Sequence, residues 1–127
     1  MWRWPNFTSE EMACKDGTPF PIDDPVAQDF MDKLQALRLH VAFPFIVNSA
    51  YRTPSYNSAI GGALNSAHLK ACAVDLRIYG ERAYKLVAAA PEFGFVGIGV
   101  SQKGAVEKRF IHLDTLVGDK RPTIWSY

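Results

Sequence analysis

Cysteine is scarce: the chain carries only Cys14 and Cys72. Two cysteines cannot build a disulfide framework, and their separation far exceeds any zinc-finger spacing, so two buried thiols are expected rather than a long-range bridge. A charge excess of one sign is missing as well. Lysine and arginine total 14 against 13 acidic residues, for a net charge of +1. Such a balance supplies no field to draw the protein onto nucleic acid or an anionic bilayer, and neither is expected as a partner. No stretch approaches the roughly 18 apolar residues of a membrane span. The start, Met1-Trp2-Arg3-Trp4-Pro5, lacks the apolar run of a signal peptide, so the product is expected to be made in the cytoplasm without export. Repeats and low-complexity tracts are absent too.

What remains is a globular composition. The 127 residues, 48% apolar and 21% charged, point to one domain spanning 1–127, expected to be a monomer. A chain of this length buries roughly two-thirds of its unfolded surface on folding and holds a core without staples.

From Trp2 to Asp24 prolines and turn formers predict an irregular wrap, with one helical turn at Thr8 to Met12. Asp24-Pro25 reads as an N-cap followed by proline at the first helical position. Val26, Phe30, Leu34 and Leu37 then recur with helical spacing, so an amphipathic helix is expected over about 25–40. Short strands are predicted at Phe45 to Asn48, Ala73 to Ile78, Phe95 to Val100 and Phe110 to Leu113. Between them come a loop with one short helix over Tyr51 to Asn65 and an alanine-rich helix over Arg82 to Ala90. Short strands with few crossover helices predict an α+β domain: a small, mainly antiparallel sheet flanked by helices.

Only three histidines are available for chemistry. His40 ends the long helix, where a histidine interacts favourably with the helix dipole, and its reading is structural. His68 and His112, with Asp75, make a nitrogen and oxygen set suited to Zn²⁺, and three protein ligands leave a fourth position open for water. The alternative is three unrelated polar residues on a sheet, and spacing alone leaves both readings open.

Longer motifs surround these residues. They are Ser49-Ala50-Tyr51-Arg52-Thr53-Pro54, Ser66-Ala67-His68-Leu69-Lys70-Ala71-Cys72-Ala73-Val74-Asp75 and Phe110-Ile111-His112-Leu113-Asp114-Thr115. In this order they resemble the zinc D-alanyl-D-alanine carboxypeptidases, a family that includes phage endolysins and shares its fold with hedgehog signalling domains. The likeness runs from Phe7 through Tyr56-Asn57 and Gly61-Gly62 to Arg121 and Trp125. Alanine stands at 50 and 71 where the family usually has glycine, which is harmless unless either residue needs a positive φ.

The resemblance implies that His68, Asp75 and His112 hold Zn²⁺. It also implies that Arg52 faces the substrate, to bind a carboxylate or steady the oxyanion of amide hydrolysis. Ser66 is a candidate for substrate or ligand support, or for a turn, and Trp125 and Tyr127 for walls of the cleft. The usual acidic residue three positions before the last histidine is replaced by Arg109. A general base is therefore sought at Asp114, on the strand face of His112, or at Glu107 in the preceding loop. Asp114 has a second reading as a residue that orients a ligand or holds the Thr115 turn. Cys72 is expected to be a small core residue.

The implied activity is zinc-dependent cleavage of peptidoglycan stem peptides or cross-links, as carboxypeptidase or endopeptidase. Two alternatives stand beside it: a catalytically silent zinc-binding module, and a phage structural component that holds peptidoglycan. Small size without an export signal fits a phage or prophage product that meets the cell wall after release.

Overall fold

The computed structural model describes residues 1–127. In chain order the elements are α1 (Ser9–Met12), α2 (Pro25–Val41), β1 (Ile46–Ser49), α3 (Pro54–Ala59), β2 (Ala73–Arg77), α4 (Gly80–Ala89), β3 (Gly97–Ser101), β4 (Phe110–Asp114) and β5 (Thr123–Ser126). Single 3₁₀ turns fall at Ala67–Lys70, Ala90–Phe93 and Val106–Lys108.

Local chemistry starts the helices. Thr8 and Glu11 form a reciprocal capping box on α1. On α2 the Asp24 carboxylate accepts from the Val26 N–H at 2.9 Å, ahead of Pro25. The predicted spacing on α2 buries Ala27, Phe30, Met31, Leu34 and Leu37 completely, and each of the four large side chains contributes roughly 1.5–3 kcal/mol. Val26, by contrast, is half exposed. The helix ends at Ala42, a non-glycine residue in the left-handed region with φ 61°. His40 lies exposed in the last turn, its ring 5.0 Å from that of Phe93.

The five strands are ordered β1-β2-β4-β3-β5. The first three pairings are antiparallel and β3·β5 is parallel, which makes the domain α+β with a mostly antiparallel sheet. Strand β5 was not anticipated from the sequence. It is a four-residue edge strand in which only Trp125 is partly buried, so it has no periodic apolar signal, and it is held by its neighbour β3.

Alternation divides the two faces of the central strands. Val74 and Leu76 of β2, with Ile111 and Leu113 of β4, enter the core. Asp75, His112 and Asp114 turn to the other face, with Asp75 registered opposite His112 and Ala73 opposite Asp114. Cys14 and Cys72 are both buried free thiols. Burial, then the nearby Asp114 charge, pushes the Cys72 thiol up to about 11, so it carries almost no thiolate near neutral pH.

Candidate metal centre

His68 stands on the Ala67–Lys70 turn, which begins where Ser66 Oγ accepts from the His68 backbone N–H at 3.3 Å. The turn closes through Ala71 at φ 54°, whereas Ala50 is not left-handed. The glycine-to-alanine departure is therefore harmless at 50, but at 71 it places a Cβ where an L-residue is strained by roughly 1–2 kcal/mol. The His68 side chain is buried, and its Nδ1 lies 2.6 Å from the Ala50 carbonyl oxygen. A carbonyl only accepts, so Nδ1 carries the proton and Nε2 is left bare, 3.4 Å from Asp75 Oδ1.

His112 presents its other nitrogen. Its Nε2 lies 2.7 Å from Asp114 Oδ2, and its Nδ1 lies 2.9 Å from Asp75 Oδ1. Burial raises the Asp114 carboxyl pKa, but hydrogen bonds from His112 and Arg121 outweigh it and hold the group at about 2. An ionised Asp114 accepts the Nε2 proton, which turns Nδ1 toward Asp75. The same balance governs Asp75: burial pushes it up, and the neighbouring His112 and His68 imidazoles bring it well below the usual carboxylate range. For His112 burial works against the charged form, yet Asp114 and Asp75 raise its pKa.

One possible ligand atom from each of His68, Asp75 and His112 lies within 4.8 Å of the other two. One nitrogen of each imidazole converges with an Asp75 oxygen while the remote nitrogen is engaged by another oxygen acceptor; a zinc ion would replace the proton that His112 Nδ1 shares with Asp75, and the donor set fits it. The group opens into a cleft of about 500 Å³.

Arg52, Ser66, Asp114, Arg121, Trp125 and Tyr127 line the same cleft. Arg52 follows β1; its Nε donates to Ser49 Oγ at 3.2 Å and its Nη1 to Asn57 Oδ1 at 3.4 Å. Its Nη2 lies 3.7 Å from Asp75 Oδ2. Trp125 tilts over His112 with ring centres 5.1 Å apart.

The two candidates for a general base, Glu107 and Asp114, lie in different surroundings. Glu107 is exposed on the Val106–Lys108 turn and lines a different cavity, beside Pro44, Ile46 and Arg77. Asp114 is close to His112 but fully buried, and its oxygens accept from His112 Nε2, from Arg121 Nε and Nη2, and from the Leu116 N–H. Engaged in this way, the carboxylate has its plane and position fixed by the groups it accepts from.

Sequence reasoning passed over three contributors. Asn57 is buried, accepts from Arg52, and donates to the Ala63 carbonyl at 2.9 Å. Gly97 is registered opposite Asp114, and a Cβ there would fall 2.3 Å from both carboxylate oxygens. Gly99 is registered opposite His112, and a Cβ there would fall 2.7 Å from Trp125 Nε1. Gly97-Ile98-Gly99 within a predicted strand was the available signal, because alternate glycines mark a close approach by other groups.

No curated protein matches the chain. The peptidase M15 family model matches residues 5–114, a stretch that holds α1 through β4, Arg52, Asp114 and all three candidate ligands. Arg121, Trp125 and Tyr127 lie beyond it. With most of its length matched and a His-Asp-His group suited to a metal, the chain belongs to the peptidase M15 family, a family of metallopeptidases.

Proposed function

We propose that this protein is a zinc-dependent hydrolase of peptide bonds in peptidoglycan stem peptides or their cross-links. The observation that carries this reading is the opposed anchoring of the two imidazoles: Ala50 holds His68 by Nδ1 and Asp114 holds His112 by Nε2, so the remaining nitrogen of each ring faces Asp75 in an open cleft. A zinc ion bound there would supply an activated water and a polarised carbonyl, the two requirements of amide hydrolysis.

The chain's own residues do the rest. Arg52 is held by Ser49 and Asn57 at the edge of the group, with its guanidinium directed along Asp75. From there it can fork onto a substrate carboxylate, or stabilise the negative charge that develops on the carbonyl oxygen. Trp125 and Tyr127 line one side of the cleft. Ser66 caps the turn that carries His68.

A second reading, a catalytically silent zinc- or peptidoglycan-binding module, is favoured by one observation. The only carboxylates lining the cleft are Asp75 and Asp114, and neither is free to accept a proton from water. Mass spectrometry of muropeptides incubated with zinc-loaded protein, with and without excess chelator, separates these readings. Loss of one terminal residue identifies a carboxypeptidase, and splitting of cross-linked dimers an endopeptidase. Binding without any change of mass identifies the silent module, and cleavage that persists in chelator excludes metal dependence.

A further inference from the structure

We infer that Arg121 is a positioning residue for His112 and acts through Asp114. The inference rests on the reading above in which His112 is a metal ligand.

Arg121 approaches Asp114 as a fork, with Nε 3.0 Å from Oδ1 and Nη2 2.9 Å from Oδ2. Such a two-point contact fixes the plane of the carboxylate as well as its position. The plane matters because Oδ2 also receives His112 Nε2, at 2.7 Å. If the carboxylate rotates, it carries the imidazole edge with it, and Nδ1 leaves Asp75. Asp114 has no solvent exposure, so water cannot replace the guanidinium as a partner.

The same guanidinium also lies beside the ring that covers His112. Its central carbon lies 5.2 Å from the centre of the Trp125 ring, and that ring lies 5.1 Å from the centre of His112. Arg121, Asp114, His112 and Trp125 thus close a circuit in which the imidazole is gripped at one edge and on one face. Arg121 Nη1 donates to the Lys120 carbonyl at 3.3 Å, so all three guanidinium nitrogens are engaged within the protein. This engagement separates Arg121 from Arg52, which no carboxylate holds in a two-point grip. Arg121 lies beyond residues 5–114, the stretch matched by the family model.

The test measures zinc affinity by competition with a chromophoric chelator, and solvent exchange of the His112 Nε2 proton by NMR of the zinc-loaded protein. Arg121→Met is expected to weaken zinc binding by about 10–100-fold and to speed that exchange. Arg121→Lys should restore only part of the loss, since an ammonium makes no fork. If Arg121→Met strands a buried charge and fails to fold, the Asp114→Asn/Arg121→Met double variant removes that charge and keeps an amide oxygen for Nε2. In the Asp114→Asn background, Arg121→Met should add less than about 3-fold, because the path through the carboxylate is gone. Unchanged affinity and exchange in Arg121→Met, or an equal loss in both backgrounds, would overturn the inference. Neither readout needs a substrate: wild-type protein that binds zinc but cuts no muropeptide refutes the proposed substrate and leaves Arg121 to be judged on its own. A wild type that takes up no zinc refutes both.

Discussion

Replacing Gly97 by alanine isolates the seat of Asp114. Gly97 has no positive φ, so the backbone accepts the change and the whole effect falls on the space above the residue. The new methyl would stand 2.3 Å from both Asp114 oxygens and 2.4 Å from Cγ. The carboxylate must leave, and being fully buried it has no water to retreat to. It loses donors from His112, Arg121 and the Leu116 N–H. Breaking a buried charged pair costs roughly 3–5 kcal/mol, and exchanging a strand glycine for alanine returns about 0.5 kcal/mol of that. At roughly 4 °C per kcal/mol for a chain of this size, thermal unfolding followed by circular dichroism should fall by about 10–18 °C.

Gly99→Ala is the comparison, two positions along the same strand. Its methyl would meet Trp125 Nε1 at 2.7 Å and the Tyr127 hydroxyl at 2.9 Å. Both belong to the edge segment at β5, and Tyr127 is half exposed, so they can swing outward at a cost of about 1–2 kcal/mol. If Gly97→Ala is no more destabilising than Gly99→Ala, Asp114 is not locked as described and its orienting role fails.

Arg52→Ala should leave zinc bound while removing roughly 2–4 kcal/mol of transition-state stabilisation, seen as about a 30- to 1,000-fold fall in kcat/KM on muropeptides; equal rates would place Arg52 outside the chemistry. Acid stability should carry the signature of Asp114. Its pKa is lowered from 3.8 to about 2 by hydrogen bonds that overcome its burial, so its contribution is complete above pH 4. That contribution, about 2 kcal/mol, drains as pH falls toward 2. Urea unfolding of the metal-free protein across this window should show the slope, and Asp114→Asn should reduce it, the remainder belonging to Asp75 and Asp16, whose carboxyls are also held low. The two left-handed alanines should respond differently to glycine. Ala42 is exposed, so relief of its strain should raise stability by about 0.5–1 kcal/mol after the entropy of glycine is counted. At Ala71, 1% exposed, the loss of a buried methyl worth about 0.8 kcal/mol should bring the change close to zero.

Much of the architecture was legible in local pattern. Asp24-Pro25 and the spacing of Phe30, Leu34 and Leu37 define α2 because capping and helical periodicity act within a few residues. Alternation in Ala73 to Ile78 and Phe110 to Leu113 sends Asp75 and His112 to one face, since a strand turns each successive side chain over. The motif likeness singled out His68 as well, and the structure brings these three side chains together. The base could not be read in the same way: Asp114 shares the face of His112, but whether a carboxylate there meets water or a guanidinium depends on what else arrives beside it.

The sequence by itself therefore determined the element types, the face on which each strand presents its polar residues, and the donor chemistry of His68, Asp75 and His112. Tertiary structure alone decided that β5 lies alongside β3, that Gly97 and Gly99 leave room for Asp114 and Trp125, and that Arg121 grips the carboxylate behind His112. It also decided that Ala71 takes a left-handed conformation and that Glu107 serves another surface. Periodicity and capping are properties of neighbouring residues. Register, burial and charge pairing join residues distant in the chain, and only the packed fold sets which of them meet.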